Sequence, residues 1–248
     1  MHFNKQPISV IEQIELLQNR GLIIIDKSNA FSFLSNVSYY RFRAYTFPFQ
    51  NNSLPNHNFL NNITFEEIVD LYIFDSRLRS LLFEAIEKIE IALRTQLIYN
   101  YAIKYGSHWH LEPNFFNNLD YYKEHIITLN KEVQRSNEIF IKHYSKKYTT
   151  PIEPPCWMSL EVSSLGLLSK IFANLKKDNC KKDITNYFGL IDADILKNWI
   201  FCFSILRNTC AHHGRVWNRR FPEIILPRKT KNTFFKIIIY IQIKFFHI

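Results

Sequence analysis

From Thr64 to Gly106 the apolar residues Ile68, Leu71, Leu78, Leu82, Ile86, Ile89, Leu93 and Leu97 recur at steps of three, four and seven residues. That spacing lines one face of an α-helix, whereas a strand face needs a period of two. Thr64 with Glu67 three residues later forms a capping box at its start. The segment therefore reads as one long helix, or two joined by a kink. Glu84 with Lys88 and Glu90 with Arg94 stand four residues apart, the spacing that supports an exposed helix face. Glu90 and Arg94 also admit a second role, bracing from a facing helix the helix that carries the candidate site.

The rest of the chain repeats this character. Ser9 and Glu12 form another capping box, opening a helix that Gly21 ends. A short helix follows over Ser28 to Asn36. Residues 38 to 50 fit either helix or extended chain, and the Asn- and Pro-containing stretch from Asn51 to Asn62 reads as a loop and internal boundary. A third long helix is expected from Asp120 to Lys147, closed by the proline-rich run Thr149 to Pro155. Further helices are expected over 159–176, 181–188 and 192–213. With only five glycines in 248 residues, the expected fold is all-α: a helical extension over 1–62 and a helical domain over 63–248, which together can also form one continuous domain.

Composition narrows the chemistry. Cys156, Cys180, Cys202 and Cys210 lack metal-ligand or disulfide-framework spacing, which suits a reducing cytosol. No phosphate loop, nucleophile turn or zinc pair of histidines is present. No cofactor is expected. His108 and His110 flank Trp109 and read as solvated or capping groups, while Trp157 and Trp199 read as core. The start lacks a signal-peptide layout, and the longest apolar stretch, Ile237 to Phe246, is too short to span a bilayer, so no membrane partner is expected. A formal net charge of +9 favours a polyanion. Tyr39, Tyr40, Arg41, Phe42, Arg43 and Tyr45 interleave rings and cations as single-stranded RNA sites do, while aromatic runs of this kind more often belong to a core.

The candidate site closes the last predicted helix: Arg207, Asn208, Thr209, Cys210, Ala211, His212, His213, Gly214 and Arg215. With Phe203 at the centre of the buried stripe, a turn of about 100° per residue places Arg207 near 40°, Asn208 near 140° and His212 near 180°. These three read as sharing one flank. His213 falls on the opposite edge and reads as a packed histidine. Gly214 reads as the C′ residue, leaving His212 in the last turn, where the helix dipole favours a positioned acid. An arginine, an asparagine and a histidine suit metal-independent RNA cleavage, in which the ribose 2′-hydroxyl is the nucleophile. His212 would move the proton, Arg207 would hold the phosphate and Asn208 would orient either. Arg215, Arg219 and Arg220 are candidate phosphate contacts.

Arg207, four residues, then His212, with Asn208 after the arginine, resembles the Arg-x(4–6)-His signature of the HEPN superfamily of helical ribonucleases. The longer string from Leu206 through Arg207, Asn208, Ala211, His212, His213, Arg215, Trp217 and Asn218 to Arg219 is similar to the Abi-like, abortive-infection branch of bacterial anti-phage proteins. The similarity continues in Glu12 to Leu22, Ser38 to Arg41, Phe65 to Arg79 and Ile89 to Thr95, and so spans roughly residues 5 to 225. The resemblance implies a HEPN-like helical bundle, a ribonuclease site at Arg207, Asn208 and His212, and a homodimer whose sites are composite. It also implies a toxin-like role in the bacterial cytoplasm and a structured RNA that restrains or guides the protein. His213, Arg215, Arg219, Tyr40, Arg41, Arg43 and Arg94 are the supporting candidates. The family is expected to continue with more helix where this chain stops, inside the run Ile237 to Phe246, so a shortened C-terminus is an expectation too. Two alternatives stay open: a non-catalytic RNA-binding protein, and a helical protein that sequesters a phage or host factor.

Overall fold

A computed structural model of the chain describes His2 and residues 6–53, 56–60 and 62–225; the apolar run Ile237 to Phe246 lies outside them. Among the described residues there are ten α-helices and no strand, only isolated β-bridges such as Phe116 with Leu175. The chain divides into two compact units, Met1–Ser80 and Leu81–Ile248.

The first unit holds α1 (Val10–Asn19), α2 (Lys27–Asn36), α3 (Tyr39–Thr46) and the first turns of α4 (Phe65–Tyr105). Both predicted capping boxes form. The Ser9 amide donates to Glu12 Oε2 at 2.6 Å, and the Glu67 amide donates to Thr64 Oγ1 at 3.2 Å. Residues 39–46 are helical because that pitch turns both Phe42 and Tyr45 into the core. Phe42 lies 4.7 Å from Phe65, and Phe33 meets Phe42, Phe65 and Tyr72 edge-on. Tyr45 donates to Asp75 Oδ2 at 2.6 Å, while Arg79 pairs with Asp75 and donates to Tyr45 at 3.1 Å. Burial, then the hydrogen bond to Asp75, pushes the Tyr45 phenol well above its ordinary range.

In the second unit the remainder of α4 is joined by α5 (Leu119–Arg135), α6 (Ile139–Lys147), α7 (Cys156–Ser159), α8 (Leu165–Asn174), α9 (Asn179–Tyr187) and α10 (Ala193–Ala211). α8 is central. It buries Leu165, Leu167, Leu168, Ile171 and Phe172 and packs against both α5 and α10, as a helix that is apolar over most of its surface must. α4 is one uninterrupted helix, closed by Gly106 at φ 91°.

The single helix expected over 120–147 is instead two. Ser136 adopts an extended conformation and its hydroxyl accepts from the Glu138 amide, which competes with the helical bond and separates α5 from α6. Trp199 is core, with its ring N–H donating to the Ile225 carbonyl at 2.8 Å. Trp157 is not, being 47% exposed: in the four-residue α7, Cys156 and Ser159 take the inward positions. His108 bonds the Glu153 carbonyl through Nε2 at 3.1 Å.

His110 departs most from expectation. It is 2% exposed, neither ring nitrogen has a hydrogen-bond partner, and burial pulls its pKa from 6.5 down to about 3. Unfolding frees a ring that binds a proton below pH 6.5, whereas the folded ring stays neutral until about pH 3. Stability from this residue is thus complete above the unfolded value and lost as pH falls through it, at up to about 1.4 kcal/mol per pH unit. Urea unfolding should show a falling midpoint from pH 7 to pH 5. His110→Leu should flatten that decline and cost nothing at pH 7, because it removes two unpartnered nitrogens.

Candidate active site at the end of the last helix

α10 begins at Asp192, whose carboxylate accepts from the Asp194 amide, and buries Leu196, Trp199, Ile200, Cys202, Phe203 and Cys210 along one face. Arg207 sits beside that stripe. Its Nε lies 3.5 Å from Glu90 Oε2, an ion pair without a hydrogen bond, and its guanidinium lies 5.7 Å over the Phe83 ring. Glu90 is itself buried, and its other oxygen accepts from Arg94 Nη2 at 3.0 Å. Arg94 goes further: Nε donates to the Leu160 carbonyl at 3.0 Å and Nη2 to the Ser163 carbonyl at 2.9 Å. These bonds hold the turn between α7 and α8, whose Ser164 also bonds Glu132 through its amide and hydroxyl.

The bracing role of Glu90 and Arg94 is therefore the one the structure supports, and the pair is not an exposed-face pair. Glu84 and Lys88 are that, with both side chains more than 60% exposed. The sequence offers Glu90 as a brace for the helix of the candidate site without naming Arg207 as its partner. Its signal was the four-residue step to Arg94, which two exposed partners would share. A cleft of about 310 Å³ beside Arg207 is lined by Phe83, Glu87, Glu90, Ile91, Arg94 and Glu161.

Asn208 and His212 lie elsewhere. Both are exposed, and neither side chain bonds another described residue. On the helix they line up with Phe201, 49% exposed, within about 20° at 100° per residue. Arg207 thus turns inward and His212 outward, so the shared flank expected for these residues spreads over a wide arc. No contact joins them within one chain.

The helix end also differs from expectation. His212 is the C-cap and His213, not Gly214, is the C′ residue, with φ 55°. The His213 amide donates to the Cys210 carbonyl at 3.0 Å and the Gly214 amide to the Thr209 carbonyl at 2.8 Å, the paired bonds of a Schellman motif. α1 and α9 end the same way with Gly21 and Gly189 at C′. His213 is exposed rather than near the core, because the helix ends at Ala211 and the wheel no longer applies to it. A Cβ on Gly214 would meet Thr209 Cγ2 at 3.1 Å, its carbonyl oxygen at 3.2 Å and Arg219 Nη1 at 3.3 Å, so close approach explains this glycine.

The N-terminal candidates divide. Tyr39 accepts from Arg20 Nη1 at 3.0 Å, Phe42 and Tyr45 are core, and Arg41 and Arg43 are half-buried. Tyr40, 81% exposed, is the open ring of that run. Among the described residues no group of three or more His, Cys, Asp or Glu is placed to hold a metal ion, and no helix is long and apolar enough to cross a membrane.

These residues define an all-helical protein whose last described helix turns an arginine in toward a buried carboxylate and a histidine out at its C-cap. The model of the Abi-like protein family matches residues 32–218, and the chain belongs to that family. No curated protein and no solved structure matches it.

Glu90→Ala leaves Arg94, 11% exposed, and Arg207 without their carboxylate. It should cost about 3 kcal/mol in urea unfolding, whereas Lys88→Ala, at an exposed pair, should leave the urea midpoint essentially unchanged.

Proposed function

We propose that this protein is an abortive-infection ribonuclease that cleaves RNA without a metal. The observation that carries this reading is the end of α10, where Arg207 is fixed by Glu90 at 3.5 Å while Asn208 and His212 stand open to solvent. Membership of the Abi-like family supports a role in abortive-infection defence, and a formal net charge of +9 supports a polyanionic substrate.

In the proposed reaction the ribose 2′-oxygen attacks the adjacent phosphorus, the bond to the 5′-oxygen breaks, and a 2′,3′-cyclic phosphate and a 5′-hydroxyl remain. His212 moves the proton, worth about 10²–10⁴-fold. Arg207 stabilises charge on the phosphate oxygens, and Asn208 orients the substrate. Since Arg207 and His212 face different sides of one helix, the complete site is a homodimer's, with each chain contributing to both sites. Exposed Phe201 beside His212, and exposed Ile91 in the Arg207 cleft, are the apolar groups such an interface would cover.

One observation favours the non-catalytic alternative. Glu87, Glu90 and Glu161 share the Arg207 cleft, and three carboxylates oppose an arriving phosphate. Under that reading Arg207 braces the helix and the protein binds RNA without turnover.

Arg207→Ala and His212→Ala should each abolish RNA cleavage and growth arrest in cells. His212→Ala should leave the melting temperature unchanged, since its ring is exposed. Cleavage should survive EDTA and stop when the 2′-hydroxyl at the scission point is replaced by hydrogen. A requirement for magnesium, or cleavage of the deoxy substrate, contradicts this chemistry.

The composite site has its own test. Wild-type subunits are exchanged with an excess of His212→Ala subunits. If each composite site needs His212 of both chains, activity falls as the square of the wild-type fraction; a simple proportional fall means that each site works with one chain's His212 and overturns that requirement.

A further inference from the structure

We propose that Arg219 is a phosphate-binding residue of the RNA site, delivered to the end of α10 by the turn that runs from His213 to Asn218. The proposal rests on the ribonuclease reading for its substrate, but its geometry is separate from that of Arg207.

The turn uses left-handed backbone at two residues. His213 and Asn218 adopt φ 55° and 50°, a region that His and Asn enter more readily than other residues with a Cβ but that still favours glycine. Surrounding structure holds such a conformation in place. Here the enforcement is visible: Val216, between the two, is fully buried, and the Schellman bonds hold the first residues of the turn to Thr209 and Cys210. The chain is thereby folded back on itself. Arg219 Nη1 comes within 3.3 Å of the position that a Cβ on Gly214 would occupy, and the guanidinium lies 5.6 Å over the Phe221 ring.

A guanidinium at a helix C-terminus can simply complement the dipole. A capping arginine would donate to the last carbonyls, yet Arg219 has no hydrogen bond and no ion pair among the described residues, and it is exposed. Its fork of donors is open beside the backbone of Gly214, two residues beyond the exposed His212. That fork matches the oxygens of a phosphate. Arg207 is differently placed, because the carboxylates of Glu87, Glu90 and Glu161 line its cleft. Ground-state capture of the RNA backbone falls to Arg219, which the turn brings against Gly214, two residues beyond His212.

The test is binding of a single-stranded 2′-O-methyl RNA oligonucleotide, which cannot be cleaved, to the full chain by fluorescence anisotropy over a range of salt. KM and kcat are measured on the matching cleavable RNA. Arg219→Met keeps the stem and removes the charge. It should weaken binding about tenfold at low salt and reduce the slope of log K against log salt by about 0.7, the value for one phosphate contact on a single strand. KM should rise with kcat nearly unchanged. Arg219→Lys should restore the slope but not the full affinity, since it lacks the fork.

Unchanged affinity and slope in Arg219→Met overturn the proposal, and so does a lowered melting temperature with an unchanged slope, which marks a helix cap. If the wild-type protein shows no His212-dependent cleavage while the slope still depends on Arg219, the ribonuclease reading falls and the phosphate site stands. If cleavage depends on His212 but Arg219→Met keeps KM and slope, the reverse holds. A wild-type protein that does not bind the oligonucleotide overturns both.

Discussion

A single carboxylate ties together the parts of the second unit that carry the candidate site. Glu90 stands on α4 with one oxygen on Arg94 and the other toward Arg207 of α10, and Arg94 reaches on to the carbonyls of Leu160 and Ser163. Two helices and a turn thus meet at one buried charge. Taking a carboxylate out of water is expensive, and here two guanidinium groups offset that cost. The arrangement sets the rotation of α10, because turning the helix would leave Glu90 half-paired in a buried place. With Arg207 held inward, helical pitch alone decides that Asn208 and His212 face out.

The end of that helix shows how much local geometry depends on residues that do not look like turn formers. Three of the described helices close with the same pair of backbone bonds, and two of them use glycine at the left-handed position. The third uses His213 and places its glycine one residue later, where the constraint is the nearness of Thr209 and Arg219. Glycine therefore has two different physical uses within one motif: conformational freedom at Gly21 and Gly189, and absence of bulk at Gly214.

This explains what could be read from the sequence and what could not. The helices were legible because their signals are local: a capping box at Ser9 and another at Thr64, an apolar spacing along α4, a stripe along α10. The Abi-like assignment was legible because its residues lie in short strings. The break at Ser136 was missed because a serine hydroxyl bonding one backbone amide is a weak competitor, and only packing decides it. Trp157 was read as core from its type alone, although a four-residue helix leaves little choice of which side faces in. Within the candidate site, spacing names Arg207 and His212 as candidates but not their separation. The wheel placed them on one flank, whereas the decisive fact is Glu90, 117 residues earlier in the chain. His213 was misplaced for a simpler reason, since wheel angles lose meaning once the backbone leaves the helix.

The four cysteines carry a consequence of a different kind. All are buried, none is in a disulfide, and burial pushes the thiols of Cys156 and Cys202 up to about 11. At neutral pH only about one in ten thousand of those two groups is a thiolate, the form that reacts. The folded protein is chemically quiet toward alkylating reagents and mild oxidants, and modification waits on the structure opening. Because Cys202 and Cys210 lie on α10 while Cys156 precedes the turn that Arg94 holds, the order in which these sulfurs become reactive is a built-in clock. It reads which part of the molecule lets go first.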